Sequence, residues 1–92
     1  MGLEIYSEDK QKMLDITDED TLYLENNVLE TFNNKYNNLF DLYSDFRLYK
    51  NHQEHLLLLL NSLKIKPKII LQFEELLNVC VRNNTVLIVI GN

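Results

Sequence analysis

A lone cysteine, Cys80, excludes an intramolecular disulfide framework and any all-cysteine metal cluster within one chain of 92 residues. Glycine occurs only at Gly2 and Gly91. No internal glycine lets the backbone close on a phosphate, which disfavours Gly-rich nucleotide loops and the enzymes built on them. Pro67 is the single proline. With so little Gly and Pro, the chain reads as one domain with few structureless loops. The longest apolar runs, Leu56–Leu60 and Val86–Ile90, fall far short of the ~20 residues that a membrane-spanning helix needs. The opening Met-Gly-Leu-Glu-Ile-Tyr-Ser-Glu has no basic region followed by an apolar stretch, so no signal peptide is expected and the protein is read as cytoplasmic.

Positive charge is also scarce where the chain begins. The first thirty residues hold nine acids (Glu4, Glu8, Asp9, Asp15, Asp18, Glu19, Asp20, Glu25 and Glu30) against Lys10 and Lys12, a net of −7. The rest has five acids against seven Lys and Arg, a net of +2. A single-sign stretch repels nucleic acid and attracts basic surfaces. Lys64, Lys66 and Lys68 are too few for a nucleic-acid footprint on a chain of net −5.

What is present predicts an α+β fold. Leu3-Glu4-Ile5-Tyr6 alternates apolar and polar residues, the pattern of a strand with one wet face. Lys12 to Ile16 is ambiguous between a helical turn and an extended piece. Thr17 followed by Asp18, Glu19 and Asp20 is a helix start, since a hydroxyl and carboxylates face unpaired N–H groups. Thr21, Leu24, Val28, Phe32 and Tyr36, widened by Leu22 and Leu29, carry that helix to about Tyr36. Leu39 to Tyr49 reads as a packed aromatic connector. Asn51 with Glu54 outlines a capping box for a leucine helix running to about Leu63. Pro67 opens a third helix with Ile69, Phe73, Leu76, Leu77 and Cys80 inward and Glu74-Glu75 outside. Thr85 to Ile90 is a β-branched run that predicts a strand covered on both faces. The expected order is β-α-α-α-β, a mainly helical single domain (1–92) whose N- and C-terminal strands lie side by side against three helices.

Three constellations compete for chemistry. A calcium loop opened at Asp15 fails at its sixth position, Asp20 in place of Gly, and at its twelfth, Asn26 in place of Glu. His52 and His55 lie one turn apart but lack the third and fourth ligands of a zinc site. Arg47 and His52 have the Arg-x4-His spacing of HEPN ribonucleases, where Arg stabilises a phosphate and His acts as acid or base. A HEPN domain is wholly helical, whereas this chain begins and ends in strands. The alternative for Arg47 is a pairing with Asp41 or Asp45. No metal and no cofactor is expected.

The opening Gly-Leu-Glu-Ile-Tyr-Ser-Glu-Asp strand, the Ser-Asp-Phe-Arg-Leu-Tyr segment before a leucine-rich helix and the closing Thr-Val-Leu-Ile-Val-Ile-Gly-Asn strand resemble small immunity proteins of bacterial polymorphic and contact-dependent growth-inhibition toxin systems. The resemblance implies a non-enzymatic, stoichiometric inhibitor of one cognate basic toxin, commonly a nuclease. Charge supports the same expectation independently. Asp15, Asp18, Glu19, Asp20 and Glu25, with Asp41 and Asp45, would steer a basic partner, and Tyr43 and Tyr49 would anchor it. Neither nucleic acid nor membrane is an expected partner, and the chain is expected as a monomer or weak homodimer. The rival expectation is a self-associating structural or regulatory subunit; a HEPN-like ribonuclease comes third.

Overall fold

Residues that alternate in character pair into a sheet whose two faces differ. The computed structural model describes residues 2–91, with strands β1 (Leu3–Ser7), β2 (Lys12–Ile16), β3 (Asp45–Leu48) and β4 (Leu87–Gly91). They form one antiparallel sheet in the order β2-β1-β4-β3. Leu3, Ile5, Ile16, Leu48, Leu87 and Val89 point into the core, whereas Glu4, Tyr6, Ile88 and Ile90 stay partly exposed. Helices therefore cover one face only.

The α+β class, the three helices and the adjacent terminal strands follow the expectation, and the terminal pair is antiparallel, with Leu3 opposite Gly91. Two further strands correct the expected β-α-α-α-β order. Lys12–Ile16 is the edge strand β2, and part of the aromatic connector is β3 on the other edge. The expectation that β4 is covered on both faces is also corrected, since Ile88 and Ile90 alternate with buried neighbours.

The first helix is continuous from Asp18 to Tyr36 in three parts. Asp18–Leu24 is α-helical, Glu25–Leu29 makes a π-helical turn, and Glu30–Tyr36 is again α-helical. The wider turn brings both Val28 and Leu29 inward between Leu24 and Phe32, all four buried. At its entry, Asn27 Nδ2 donates to the Tyr23 carbonyl at 2.7 Å. Asn37, at φ 57°, ends the helix in the left-handed conformation that Asn tolerates better than most residues, and Asn38 follows at φ 62°. Asn33 then clasps the returning chain, accepting from Phe40 N at 2.9 Å and donating to Phe40 O at 3.0 Å.

The leucine helix is Lys50–Asn61. Its start differs from the expected Asn51–Glu54 box: Tyr49 is the cap, and its N–H donates to His52 Nδ1 at 3.1 Å. Leu56, Leu57 and Leu60 are buried but Leu58 is 69% exposed, so the helix is not buried all round. The C-terminal helix, Lys68–Asn83, follows Pro67 and ends at Asn84, also left-handed. Its inward row is Ile70, Phe73, Leu77 and Cys80. Glu74 is not an outside residue. It pairs with Lys66 at 3.0 Å with both side chains mostly shielded, tying the inter-helix loop down.

Gln53, a first-turn polar residue by sequence, is fully buried. Its Nε2 donates to Leu48 O at 2.7 Å and Thr85 O at 2.8 Å, stitching the end of β3 to the segment entering β4. Thr85 precedes the paired residues of β4, so its carbonyl has no place in the sheet ladder, and an unpaired buried carbonyl is costly.

Candidate functional site: an acidic groove at the head of the first helix

Thr17 fixes where the first helix begins. Its Oγ1 accepts from Asp20 N at 3.3 Å and donates to Asp20 Oδ2 at 3.0 Å, and Thr21 Oγ1 donates to Thr17 O at 2.8 Å. Asp20 is thereby held in the cap. Asp18 and Glu25 sit two turns apart with Leu22 between them, and together with Thr21 they form one wall of a groove of about 310 Å³. The opposite wall is Leu42 and Tyr43.

The second wall is seated by one local contact and one remote in sequence. Asp41 Oδ1 accepts from Tyr43 N at 2.9 Å, shaping the turn. Gly91 N donates to Ser44 O at 3.2 Å, and a Cβ on Gly91 would come within 2.4 Å of Leu42 O and 2.9 Å of Ser44 O. Only glycine lets the loop lie this close to β4. Tyr43 projects outward, 72% exposed, and Leu22 is 54% exposed. The groove thus has two apolar flanks, an aromatic ring and two carboxylates.

The predicted site residues fall into separate groups. Asp18, Glu25 and Tyr43 come together at the groove, with Asp41 supporting it. Glu19 is exposed on the same first turn. Asp15 lies on β2, paired with Lys12 at 2.8 Å, and Asp45 lies on β3; both point to the open side of the sheet. Tyr49 caps the leucine helix and stacks near His52, with ring centroids 5.8 Å apart. Leu22, Thr21 and Leu42 complete the groove and are not site candidates by sequence. Leu22 carries a signal, being an apolar residue at the margin of the inward stripe.

Arg47 and His52 do not converge. Arg47 sits opposite Ile88 on the open side of the sheet, whereas His52 packs edge-on to Tyr36 in the helical layer at 4.8 Å. Among the described residues, Arg47 pairs with neither Asp41 nor Asp45. Burial lowers the His52 pKa below its ordinary value. His55, beside Phe32 and Tyr36, is lowered first by burial and then by Lys35, and its Nδ1 has no partner among the described residues. Burial raises the Cys80 thiol pKa, so it is a poor nucleophile. Among the described residues, no group of three or more His, Cys, Asp or Glu could hold a metal ion. No helix there is long and apolar enough to cross a membrane.

Comparison with protein-family models, with curated proteins and with solved structures found no match.

Proposed function

We propose that this chain is a non-enzymatic binding protein of the immunity, or antitoxin-like, kind, which neutralises a basic toxin domain by occupying its surface with the acidic groove. The observation that carries the reading is the meeting of Asp18 and Glu25 with Leu22, Leu42 and Tyr43. This set suits one arginine or lysine of a partner protein. The aliphatic stem lies along the leucines, the cationic head sits between the carboxylates, and the guanidinium or ammonium faces the Tyr43 ring. At about 310 Å³ the groove is at the small end for a ligand pocket, and it is open on the solvent side. A protruding side chain fills it better than a free metabolite. Glu19 widens the negative field around it and contributes mainly to the association rate. Where the partner is a nuclease, these carboxylates stand in for phosphates.

The test is co-expression with the basic C-terminal domain of a secreted protein encoded next to this gene. The two are expected to co-purify, with an association rate that falls at least tenfold between about 50 and 500 mM salt. The double variant Asp18→Lys/Glu25→Lys is expected to lose a further tenfold or more, and Tyr43→Ala to speed dissociation. Tight binding that ignores both salt and the double variant would refute the groove as the docking site. Failure of every neighbouring basic domain to bind would remove the immunity reading.

A further inference from the structure

The open side of the sheet carries an ordered pattern of charge. Pairing register places Asp15, Glu4, Ile90 and Asp45 in one row across the four strands. Two residues along β1, β3 and β4, and three along β2 because Met13 is an extra residue there, Lys12, Tyr6, Ile88 and Arg47 form a second row. The first row is acidic at both ends and the second is basic at both ends. Between them lie Ile88, Ile90 and the Tyr6 ring, all only partly covered. Tyr6 Oη donates to Glu4 Oε1 at 2.8 Å, which settles the middle of the patch. Asp45 and Arg47 are exposed and make no ion pair among the described residues.

We infer that this face binds a second copy of the same chain, sheet to sheet, about a two-fold axis that runs across the strands midway between the two rows. Such a rotation turns one sheet over and reverses its strand direction. Each acidic row then lies over the basic row of the other copy. Asp45 of one chain meets Arg47 of the other, Asp15 meets Lys12, and Ile90 meets Ile88, each contact occurring twice. An isologous contact requires this self-complementarity, and Asp45 with Arg47 supplies most of it, since Lys12 already pairs with Asp15 and Glu4 within its own chain.

Sheet twist leaves the pairs within reach. Aligned sheets cross at about 30°. The edge strands lie about 7 Å from the centre of a four-stranded sheet, so the crossing displaces the end pairs by roughly 4 Å. Arg and Lys stems span that distance. The plan area of the face, about 19 by 17 Å, is small against the ~800 Å² per partner of a standard interface, so the dimer is a weak one. A dissociation constant on the order of 100 μM is expected.

Sedimentation equilibrium from 5 μM to 1 mM tests this at low and high salt. The unaltered chain is expected to pass from monomer to dimer and to shift toward monomer in 500 mM salt. Asp45→Arg alone and Arg47→Asp alone each place like charges opposite one another and are expected to weaken the dimer at least tenfold. An equimolar mixture of these two variants restores every opposite-charge contact and is expected to recover dimer as a heterodimer. Both positions are exposed, so the variants fold. A chain that stays monomeric at 1 mM overturns the inference. So does a dimer that survives both single variants, because it would then use another surface, such as the free edge of β3.

Discussion

The substitution Gln53→Glu changes one atom group and tests the tie between β3 and β4. Gln53 donates from one nitrogen to two carbonyls, Leu48 O and Thr85 O, in a fully buried position. An ionised carboxylate at this position would set a negative charge against both carbonyls. The folded variant must therefore keep the carboxyl protonated, donating to one carbonyl and losing the hydrogen bond to the other. The lost hydrogen bond costs about 1–3 kcal/mol at any pH. Protonation adds a pH-dependent cost. A fully buried carboxyl can titrate as high as about 8–9, against about 4.3 when unfolded. The deficit is thus small below the unfolded value and grows by about 1.4 kcal/mol per pH unit above it, until the folded value is reached. Relative to the wild type, the loss is then on the order of 3 kcal/mol at pH 5.5 and 5–7 kcal/mol at pH 7.5. A small domain has about 5–15 kcal/mol in total, so the variant is near unfolding at neutral pH. Urea titrations followed by far-UV circular dichroism at pH 5.5, 6.5 and 7.5, all above the isoelectric point of 4.9, give the comparison. Gln53→Met serves as a control whose deficit does not vary with pH. A deficit for Gln53→Glu below 1 kcal/mol at pH 7.5, or one equal at the three values, would refute the reasoning.

Gly91→Ala drives a Cβ into the Leu42 and Ser44 carbonyls; a loss of about 1–3 kcal/mol is expected, with NMR shifts concentrated at residues 41–44. Asn37→Ala, at φ 57°, is expected to cost about 1 kcal/mol and Asn37→Gly to cost nothing, measured by thermal melts. Burial lowers the folded pKa of His52 and His55, so they favour the neutral form. Their contribution is complete above the unfolded value near 6.5 and is lost as pH falls through the folded values. Stability measured from pH 7.5 to 5.5 should decline, and His55→Leu should flatten the decline. Cys80, buried with a raised pKa, is expected to react with a thiol reagent only at the rate of unfolding, and fast labelling of the native protein would contradict its placement.

The helices are legible in the sequence because their inward rows repeat every three or four residues over long stretches, and Thr17 and Pro67 mark their starts. The strands are harder to read for specific reasons. In Lys12-Met-Leu-Asp-Ile16 the irregularity at Met13 interrupts strict alternation, which makes the segment ambiguous. Asp45-Phe-Arg-Leu48 does alternate, but four residues inside an aromatic stretch are too few to separate from a connector. The β4 run is apolar on both sides, yet no element packs over Ile88 and Ile90 among the described residues. Asp18 and Glu25 stand out as acids in the sequence; their meeting with Tyr43 depends on the reversal after Asn37-Asn38 and on the contact of the loop with Gly91. Those are long-range facts that no local pattern encodes. Gln53 shows the same limit, because its partners lie five residues before it and thirty-two after it.

The position of β4 has a kinetic consequence. The β1–β2 hairpin and the β3 strand touch through β4 alone, and β4 follows every other element in chain order. During synthesis the hairpin can form early and the helices can assemble in turn, but the halves of the sheet stay apart until residues 87–91 clear the ribosome. The closing pairing joins β1 to a strand more than eighty residues later, with Leu3 opposite Gly91, which makes it a late and slow event. Removing residues 87–91 would leave the hairpin packed on the helices but unpaired along β1, β3 without a partner strand, and the loop before β3 without its contact with Gly91. The groove thus takes its final shape late, only after β4 has joined the sheet and Gly91 has seated the loop that carries Tyr43.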